Sequence, residues 1–243
     1  WSCDRAAASR RGDRLFATAA VRVDDNSAFG RDFSLVVYPK ASLSWVISEE
    51  SFFPQLDAIQ QLRLRAAYGQ SGQRPGFRQA RTFYNPVAVS TGVTEQTAVS
   101  IGGTGNALLS PERSQEFEGG FDLGVLNNRV GLEVTYYMKQ TKDALVARRL
   151  PPSLGASNTR FENIGRVSNQ GLEVQLNAQL IKSERVTWDA TLAASSTRNN
   201  VDDLGTDVEP IIFNSNGVQR HVEDYPLGAF FQRTLTDNDL NGD

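Results

Sequence analysis

The residues of this sequence that could carry chemistry are few, and they lie in polar stretches. His221 is the only histidine, so the chain cannot build a metal cage from histidines. It could act as a single general base, but no Ser or Cys nucleophile elbow accompanies it. Gly102, Gly103 and Gly105 form a glycine-rich turn that lacks the Lys-Ser/Thr ending of a phosphate-binding loop. These observations predict that the protein is not an enzyme.

The last residues are similar to the opening of a calcium-binding loop. Asp237, Asp239 and Asn241 place oxygen atoms at alternate positions, and Gly242 permits a sharp turn around a hard cation. The later carboxylate of such a loop is missing, because the chain stops at Asp243. Polar Asp/Asn/Gly turns are also common without a metal. The sequence therefore predicts no cofactor except calcium, which these three residues would bind in the intact protein.

A basic and aromatic cluster lies in a long loop rich in Gly, Ser, Thr and Gln, between residues 70 and 111. Arg78, Arg81, Phe83 and Tyr84 could hold a sugar or a peptide by stacking and hydrogen bonding. A flexible surface loop is the alternative for each of these residues. We predict a substrate-binding site there and no catalytic residue.

The elements that must position these residues are β-strands, and the stretch 115–139 shows this most clearly. Apolar and polar residues alternate from Phe117 to Val125 and again from Val130 to Lys139, as expected for strands with one apolar face. Asn127 and Asn128 tolerate the positive φ of a tight type I′ turn. The pattern predicts a hairpin in which Phe121 faces Val134 and Asp122 faces Glu133.

The same alternation predicts further strands at 14–24, 37–48, 62–69, 172–180, 186–194 and 227–235. The outward residues of 172–180 and of 186–194 are all even-numbered, so the turn between these strands needs an odd number of residues. Short or helical turns near 49–61, 127–128 and 182–184 alternate with long links at 25–35, 70–113, 143–167 and 198–224. Residues 1–13 show no period and are predicted to be a disordered or non-native end.

Composition narrows the function classes. The net charge is −3 and no basic patch contains interleaved aromatics, so nucleic acid is an unlikely partner. The single cysteine, Cys3, cannot form an internal disulfide. No apolar run approaches the ~18 residues of a membrane-spanning helix, but a spanning strand needs only about 9–11 residues, half of them apolar.

Six phrases of the sequence resemble the barrel domain of SusC/RagA-like TonB-linked outer-membrane proteins, the TonB-dependent receptors. The phrases are VRVDDNSAFG (21–30), YPKASLSWVISEESFF (38–53), LRLRAAYGQSGQ (62–73), LSPERSQEFEGGFDLG (109–124), NIGRVSNQGLEVQLNA (163–178) and YPLGAFF (225–231). The resemblance implies an all-β fold: an antiparallel up-and-down meander of about eight strands, which is an open portion of a large transmembrane β-barrel. Residues 14–243 would form this partial barrel, with the plug domain and the remaining strands absent.

The resemblance also implies a function. A receptor of this family imports a nutrient, of the oligosaccharide or peptide class, across the Gram-negative outer membrane with energy supplied through TonB. The implied partners are the protein's own plug domain, the TonB complex, a SusD-like lipoprotein, the nutrient and the lipid bilayer. The chain would supply only barrel wall and outer loops, so we expect it to aggregate in water without detergent.

A soluble or cell-surface all-β binding or adhesion module is the alternative function. The two hypotheses differ in what covers the apolar faces of the strands. In a receptor, Leu15, Leu43, Leu64, Phe121, Val134, Val174 and Leu192 share one exposed face. In a soluble module, a second sheet packs over them.

Overall fold

The structure, a computed structural model, describes residues 2–25, 35–54, 56–90, 92–151, 153, 159–205, 209–212 and 218–232. Most of these residues are in strands, because apolar and polar side chains alternate over long runs. The elements are β1 (Ser2–Arg11), β2 (Leu15–Asp24), β3 (Val36–Val46), a 3-10 helix (Ile47–Glu49), β4 (Ile59–Gln73), β5 (Phe83–Ser90), β6 (Glu95–Gly103), β7 (Glu112–Val125), β8 (Val130–Arg149), β9 (Thr159–Lys182), β10 (Thr187–Asp203), β11 (Ile211–Ile212), β12 (Gln219–His221) and β13 (Ala229–Phe230).

Eight strands form one antiparallel sheet in the order β1-β2-β3-β4-β7-β8-β9-β10. The pair β5–β6 is a separate hairpin, and β11, β12 and β13 form a small three-stranded sheet. Strands β1 and β10 lie at opposite edges of the large sheet, which is therefore open. The predicted all-β antiparallel meander is confirmed. Among the described residues, no helix has the length and apolar character needed to cross a membrane.

The hairpin β7–β8 has the predicted register. Phe121 pairs with Val134, Leu123 with Leu132, and Asp122 with Glu133. At the turn, the Arg129 amide donates to the Leu126 carbonyl over 3.2 Å. Asn127 and Asn128 have φ values of 57° and 59°, as a type I′ turn requires, and Leu126 also has a positive φ of 55°.

The eight strands of the sheet are not quite the eight that the sequence predicts. The first is β1, whose residues pair with β2 from Ser2–Asp24 to Arg11–Leu15, so residues 2–11 are not the disordered end that was one of the two predictions for 1–13. The other, a non-native end, stays a prediction. The run of alanines and serines in β1 shows no alternation, so the sequence does not reveal this strand. Its hydrogen bonds to β2 hold it in the sheet. The predicted strand 227–235 is not in the large sheet: its described part contains only the two-residue β13.

The predicted odd-numbered turn between β9 and β10 is also wrong. Four residues, 183–186, separate Lys182 from Thr187. The parity is corrected by a β-bulge instead, since Trp188 pairs with Ile181 but Asp189 pairs with Gln179, which leaves Leu180 without an opposite residue. Beyond the bulge, even-numbered residues of both strands share a face, as predicted, with Leu192 opposite Leu176.

Most connections at one end of the sheet are shorter than those at the other end. At one end, called the turn end, the connections are 12–14, 47–58, 126–129 and 183–186. At the other, called the loop end, they are 25–35, 74–111, 150–158 and the residues that follow Asp203. Three of the four turn-end connections have only three or four residues, as predicted, but 47–58 has twelve and is longer than 25–35 with eleven and 150–158 with nine. Much of the predicted links 143–167 and 198–224 belongs to the long strands β8, β9 and β10.

One face of the large sheet, called the apolar face, carries continuous rows of apolar side chains. The pairing of neighbouring strands places in one row Leu15, Trp45, Leu64, Phe121, Val134, Val174 and Ala194. None of these side chains is buried, and Leu64 is 41% exposed. Leu43, two residues before Trp45 on β3, and Leu192, two residues before Ala194 on β10, lie in the adjacent rows of this face and are 45% and 67% exposed. No described strand packs over this face, so all seven residues that the sequence assigns to an exposed apolar face lie on one.

The chain has almost no interior. Its accessible surface is 17322 Å², whereas a compact monomer of 26.7 kDa would expose roughly 10,700 Å². Among the described residues the buried hydrophobic side chains are Ala20, Val36, Tyr38, Leu109, Val201 and Leu204. Most of them lie toward the loop end. The stability of the sheet therefore depends on its hydrogen bonds and on whatever medium covers its apolar face.

The β8–β9 ribbon has one irregular position near the loop end. Lys142 pairs with Arg166 and Ala144 with Ile164, but the residues between them, Asp143 and Gly165, have φ values of 55° and 72°. Gly165 is required, because a Cβ there would overlap the backbone of Asp203. Two left-handed residues thus face each other between the wall part of the ribbon and its outer part.

A glycine on the opposite, polar face shows how aromatic rings replace missing side chains in this sheet. Tyr137 is directly opposite Gly171, and its hydroxyl lies 3.0 Å from Thr197 Oγ1 on β10. A Cβ on Gly171 would lie 2.6 Å from the Tyr137 ring. The ring therefore covers the glycine backbone and links three strands.

The substitution Gly171→Ala should reduce the free energy of unfolding by about 1–3 kcal/mol, because the new methyl group displaces the Tyr137 ring. Gly131→Ala is the matched control, since its Cβ would meet only Asn177 Cβ, at 4.0 Å. Denaturant titration in detergent micelles measures both changes. Equal effects of the two substitutions would show that the ring does not restrict residue 171.

Candidate functional site

The predicted substrate residues lie at the loop end, at the base of the β5–β6 hairpin. The Arg78 guanidinium lies over two rings, 4.9 Å from the centroid of Phe77 and 5.3 Å from that of Phe83. Arg78 has a φ of 62°, which places its side chain beside the hairpin. The structure thus brings Arg78 and Phe83 together and adds Phe77. Because Phe77 directly precedes Arg78 in the sequence, it could have been predicted as a third residue of the cluster.

Arg81 and Tyr84 are exposed beside this stack, and the Arg81 backbone amide donates to the Arg78 carbonyl over 3.1 Å. Tyr84 is 62% exposed and its ring is open to a ligand. The Arg81 side chain is also exposed, while its backbone packs against Gly105, where a side chain would overlap it. The Gly105 amide donates to Thr82 Oγ1 over 3.1 Å. The glycine-rich turn therefore closes the base of the hairpin instead of holding a phosphate.

The hairpin itself is long and nearly uncharged. From Phe83 to Gly105 the only charged residue is Glu95. Val93 at its tip is 92% exposed and Val99 is 73% exposed. Such a surface presents hydroxyl, amide and small apolar groups, which suit a neutral ligand better than a charged one.

A second candidate site is a cleft of about 660 Å³ between the outer part of the β8–β9 ribbon and β11–β12. Apolar side chains form most of its walls, with Arg148, Glu209 and His221 among the polar ones. The apolar wall residues are Val146, Leu150, Pro151, Pro210, Ile211 and Ile212. The sequence does not predict this cleft, because the part of the β8–β9 ribbon that lines it falls within the predicted polar link 143–167.

His221 has a structural environment in this cleft. Its Nδ1 accepts a hydrogen bond from the Gly228 amide over 3.1 Å, and burial lowers the pKa of its imidazole. The described lining of the cleft contains no serine or cysteine. The role of a general base, which the sequence leaves open for His221, therefore gains no support from its described surroundings.

The two sites are joined by the segment that returns from the hairpin to β7. The Asn106 side-chain amide donates to the Phe161 carbonyl over 3.2 Å. The Ser110 amide donates to Asn163 Oδ1 over 2.7 Å, and Asn163 Nδ2 donates to the Ser110 carbonyl over 2.8 Å. The hairpin base and the β8–β9 ribbon are thus held together by backbone and amide hydrogen bonds.

Charged residues of the polar face form a third cluster, nearer the turn end. Asp122 is only 8% exposed and accepts hydrogen bonds from Arg63 Nε over 2.5 Å and from Arg65 Nε over 2.9 Å. Arg65 also donates to Thr135 Oγ1 over 3.3 Å. The two arginines compensate for the predicted opposition of Asp122 and Glu133, which would otherwise be unfavourable.

The predicted calcium ligands Asp237, Asp239 and Asn241 lie outside the described residues, so calcium binding stays a prediction. Within the described part of the chain, no three His, Cys, Asp or Glu side chains gather as a metal site.

Comparisons with known proteins, by sequence and by fold, agree with each other. The family of TonB dependent receptor-like β-barrels matches residues 7–229. TonB-dependent receptors P26 and P39 of Formosa agariphila are 31% and 35% identical to the chain, each over 79% of its length. TonB-dependent receptor SusC of Bacteroides thetaiotaomicron is 25% identical over 90% of the chain.

Among solved structures, the RagAB peptide importer in its closed-closed state superposes with a TM-score of 0.84 at 21% identity, which shows the fold alone. This match covers 94% of the chain and 25% of the RagAB chain. The chain likewise spans about a fifth of the length of the curated relatives, 20% for P26 and 18% for P39. The matched residues and the open meander together show that the chain belongs to the TonB-dependent receptor β-barrel family and resembles its SusC/RagA-like members.

Proposed function

We propose that the chain is a wall segment of an outer-membrane receptor that imports a nutrient with energy supplied through TonB. The observation that carries this proposal is the apolar face, whose rows of exposed side chains cross seven strands with no described protein layer over them. A face of this kind is stable in contact with acyl chains. The opposite face, with its ionic clusters, suits a wet lumen.

The height of the apolar rows fits a bilayer. On β7 and β8 they extend from the Val125–Val130 pair to the Phe117–Met138 pair, which is nine residues of β7. At about 3.4 Å per residue this is roughly 30 Å along the strand, or roughly 23 Å along the normal for a tilt near 40°. Outer-membrane barrels have an apolar band of about 25 Å.

Aromatic residues near both margins of this band support the same placement. Tyr68 and Tyr136, which are 39% and 40% exposed, lie toward the loop end. Trp188, 57% exposed, lies at the turn end. Trp45, the last residue but one of β3 at its turn end, donates from Nε1 to Glu50 Oε1 over 3.0 Å. Amphipathic rings of this kind are enriched where acyl chains meet headgroups.

The soluble binding module, the alternative function, requires a second sheet over the apolar face. The two small sheets do not supply it, because β5–β6 and β11–β13 connect at the loop end. The described residues therefore favour the receptor.

The nutrient would bind at the loop end, where Tyr84 and Arg81 are exposed beside the Arg78 stack. An oligosaccharide could stack on Tyr84, and a peptide could also enter the apolar cleft. The RagAB neighbour is a peptide importer, which supports the peptide class, and the uncharged hairpin supports a neutral ligand. The implied partners are the plug domain, the TonB complex and a SusD-like lipoprotein, all at the outer membrane.

The substitution Val174→Arg should cost about 2–4 kcal/mol of folding free energy in a lipid bilayer, because it places a charge at the middle of the apolar band. Gln175→Arg, one residue along β9 and on the polar face, is the control and should cost less than about 1 kcal/mol. Denaturant-dependent folding into phosphatidylcholine vesicles measures both. A protein that is monodisperse without detergent, with equal costs for the two substitutions, would support the soluble module.

The Asp122→Asn substitution should lower the free energy of unfolding by about 1–3 kcal/mol, since it leaves Arg63 and Arg65 facing each other without their shared carboxylate. Glu133→Gln should be neutral or stabilising, because it removes the charge opposite Asp122. Thermal unfolding in detergent compares the two. A larger loss from Glu133→Gln would assign the main ionic role to Glu133.

The import function is tested by uptake into cells that produce the full-length receptor. Labelled neutral oligosaccharides and peptides should accumulate in cells with TonB and not in cells without it, and a proton uncoupler should abolish accumulation. Replacing Arg81 and Tyr84 by alanine should raise the half-saturating ligand concentration about tenfold, through the loss of stacking and of a charged hydrogen bond. Uptake that is independent of TonB would overturn the proposed function.

A further inference from the structure

The β5–β6 hairpin has two outer edges, and the register of the hairpin shows that they differ. Pro86 on β5 pairs with Val99 on β6. Proline has no amide hydrogen, so these two residues cannot exchange the two hydrogen bonds of a hydrogen-bonded pair. The two kinds of pair alternate along an antiparallel ladder. The neighbouring pairs of the same, non-hydrogen-bonded kind are Tyr84–Ile101 and Ala88–Thr97. The backbone groups of all these residues therefore point away from the partner strand.

The outward edge is interrupted on β5 and continuous on β6. On β5, Pro86 offers no donor, and proline is one of the residues that keep an edge strand from pairing with another chain. On β6, Thr97, Val99 and Ile101 each present an amide and a carbonyl. No backbone group elsewhere in the described chain bonds to these three residues. One side of the hairpin therefore has an open edge five residues long, or roughly 17 Å.

The hairpin also lacks the support that a two-stranded ribbon needs. Such a ribbon is marginally stable in water, and three or more strands are required for independent stability. β5 and β6 form a sheet of their own, which no other described strand joins. Val87, Val89 and Val99 are 37%, 45% and 73% exposed. A third strand beside β6 would supply the missing hydrogen bonds and cover part of this apolar surface.

Other free edges of the described sheets have a different explanation. β1 and β10 lie at the edges of the large sheet, and in the proposed receptor the remaining barrel strands continue from them. β11 and β13 have only two residues each, which is too short to template a further strand. In the described part of the chain, the β6 edge is thus the long, uninterrupted edge that closure of a barrel does not use.

The side chains of β6 indicate what kind of strand fits this edge. After Glu95 its residues are uncharged. Val99 and Ile101 lie on the same face of the hairpin as Tyr84, a predicted substrate residue, because directly paired residues share a face. Every second side chain of an added strand would lie beside Val99 and Ile101 on this face. Small apolar or hydroxylated side chains suit such neighbours.

We infer that the outer edge of β6 binds an extended stretch of the nutrient peptide as a third strand of the hairpin. Backbone hydrogen bonds supply the affinity, and the side chains beside Val99 and Ile101 set a preference for small, uncharged residues. Recognition through the backbone tolerates many sequences, which suits the uptake of mixed peptides. The inference rests on the proposed function in one respect, namely that the nutrient binds at the loop end.

The test uses the full-length receptor in detergent and three probes. The probes are a blocked pentapeptide of sequence Ser-Val-Thr-Val-Ser, the same peptide N-methylated at two consecutive central residues, and the neutral sugar maltopentaose. Two consecutive methyl groups remove a donor toward β6 whichever register the peptide adopts. Titration calorimetry measures binding, and hydrogen exchange resolved to single amides shows where each probe binds.

At saturation, the unmethylated pentapeptide should slow hydrogen exchange of the Thr97, Val99 and Ile101 amides at least about tenfold, because they become hydrogen-bonded. The amide of Ala88, opposite Thr97 on β5, should be unaffected. The methylated peptide should bind at least about tenfold more weakly. Absence of protection at β6, or equal binding of the two peptides, would overturn the inference. Protection of the same amides by maltopentaose would assign the edge to a sugar and overturn it as well.

Two substitutions test the edge itself. Thr97→Pro and its control Ala88→Pro replace residues that are directly opposite each other. Each removes an amide that points away from the hairpin, so the hydrogen bonds between β5 and β6 are kept. Thr97→Pro should weaken binding of the unmethylated pentapeptide about tenfold, and Ala88→Pro less than about twofold. If Thr97→Pro does not fold, the methylated peptide decides, because that comparison needs no variant.

The remaining outcomes separate the inference from the proposed function. Equal binding by the two proline variants, with TonB-dependent uptake of peptides intact, would overturn the inference alone. Dimers of the receptor that protect the β6 amides without peptide, and that dissociate on Thr97→Pro, would assign the edge to a second copy and overturn the inference. Loss of both peptide binding and TonB-dependent uptake in the natural receptor would overturn the inference and the proposed function together.

Discussion

The structure depends on strict alternation carried in register across neighbouring strands. A one-residue slip of β7 against β4 would move charged residues into the apolar rows and break the Asp122 cluster on the other face. Because no second protein layer covers the described sheet, side-chain packing in a core cannot enforce the register. Hydrogen-bonded pairing and the difference between the two media on either side of the wall must do so. This constraint explains why residues such as Leu64 and Phe117 are exposed without being misplaced.

The polar face must accommodate both charged side chains and glycine positions whose backbone has no side chain to cover it. Asp122 sits among two arginines, and Tyr137 covers Gly171. Both devices join three adjacent strands, as Arg65 on β4 reaches Asp122 on β7 and Thr135 on β8. The wall is thus connected sideways by side chains as well as by backbone hydrogen bonds. At the loop end, neighbouring segments are connected by hydrogen bonds between side-chain amides and the backbone, such as those of Asn163 with Ser110.

The sequence predicts the wall well and the loop end poorly, for a physical reason. In the wall, period-two alternation determines strand, face and register together, as in the pair Phe121–Val134. In β1 the side chains are too small to show a period, and in the outer part of β8–β9 the polar content resembles a loop although both strands pair along their length. The bulge at Leu180 was invisible because an odd turn and a bulge correct parity equally well.

Of the candidate site, residue types indicated Arg78 and Phe83 but not their stacking with Phe77. The apolar cleft could not be predicted, since its walls come from segments far apart in the chain, such as Val146 and Ile211. The facing left-handed residues Asp143 and Gly165 divide the β8–β9 ribbon into an inner part, which belongs to the wall, and an outer part, which lines the cleft. Because the pleat is interrupted there, the outer part need not continue the plane of the wall, and the hydrogen bonds of Asn163 set its position against the hairpin base.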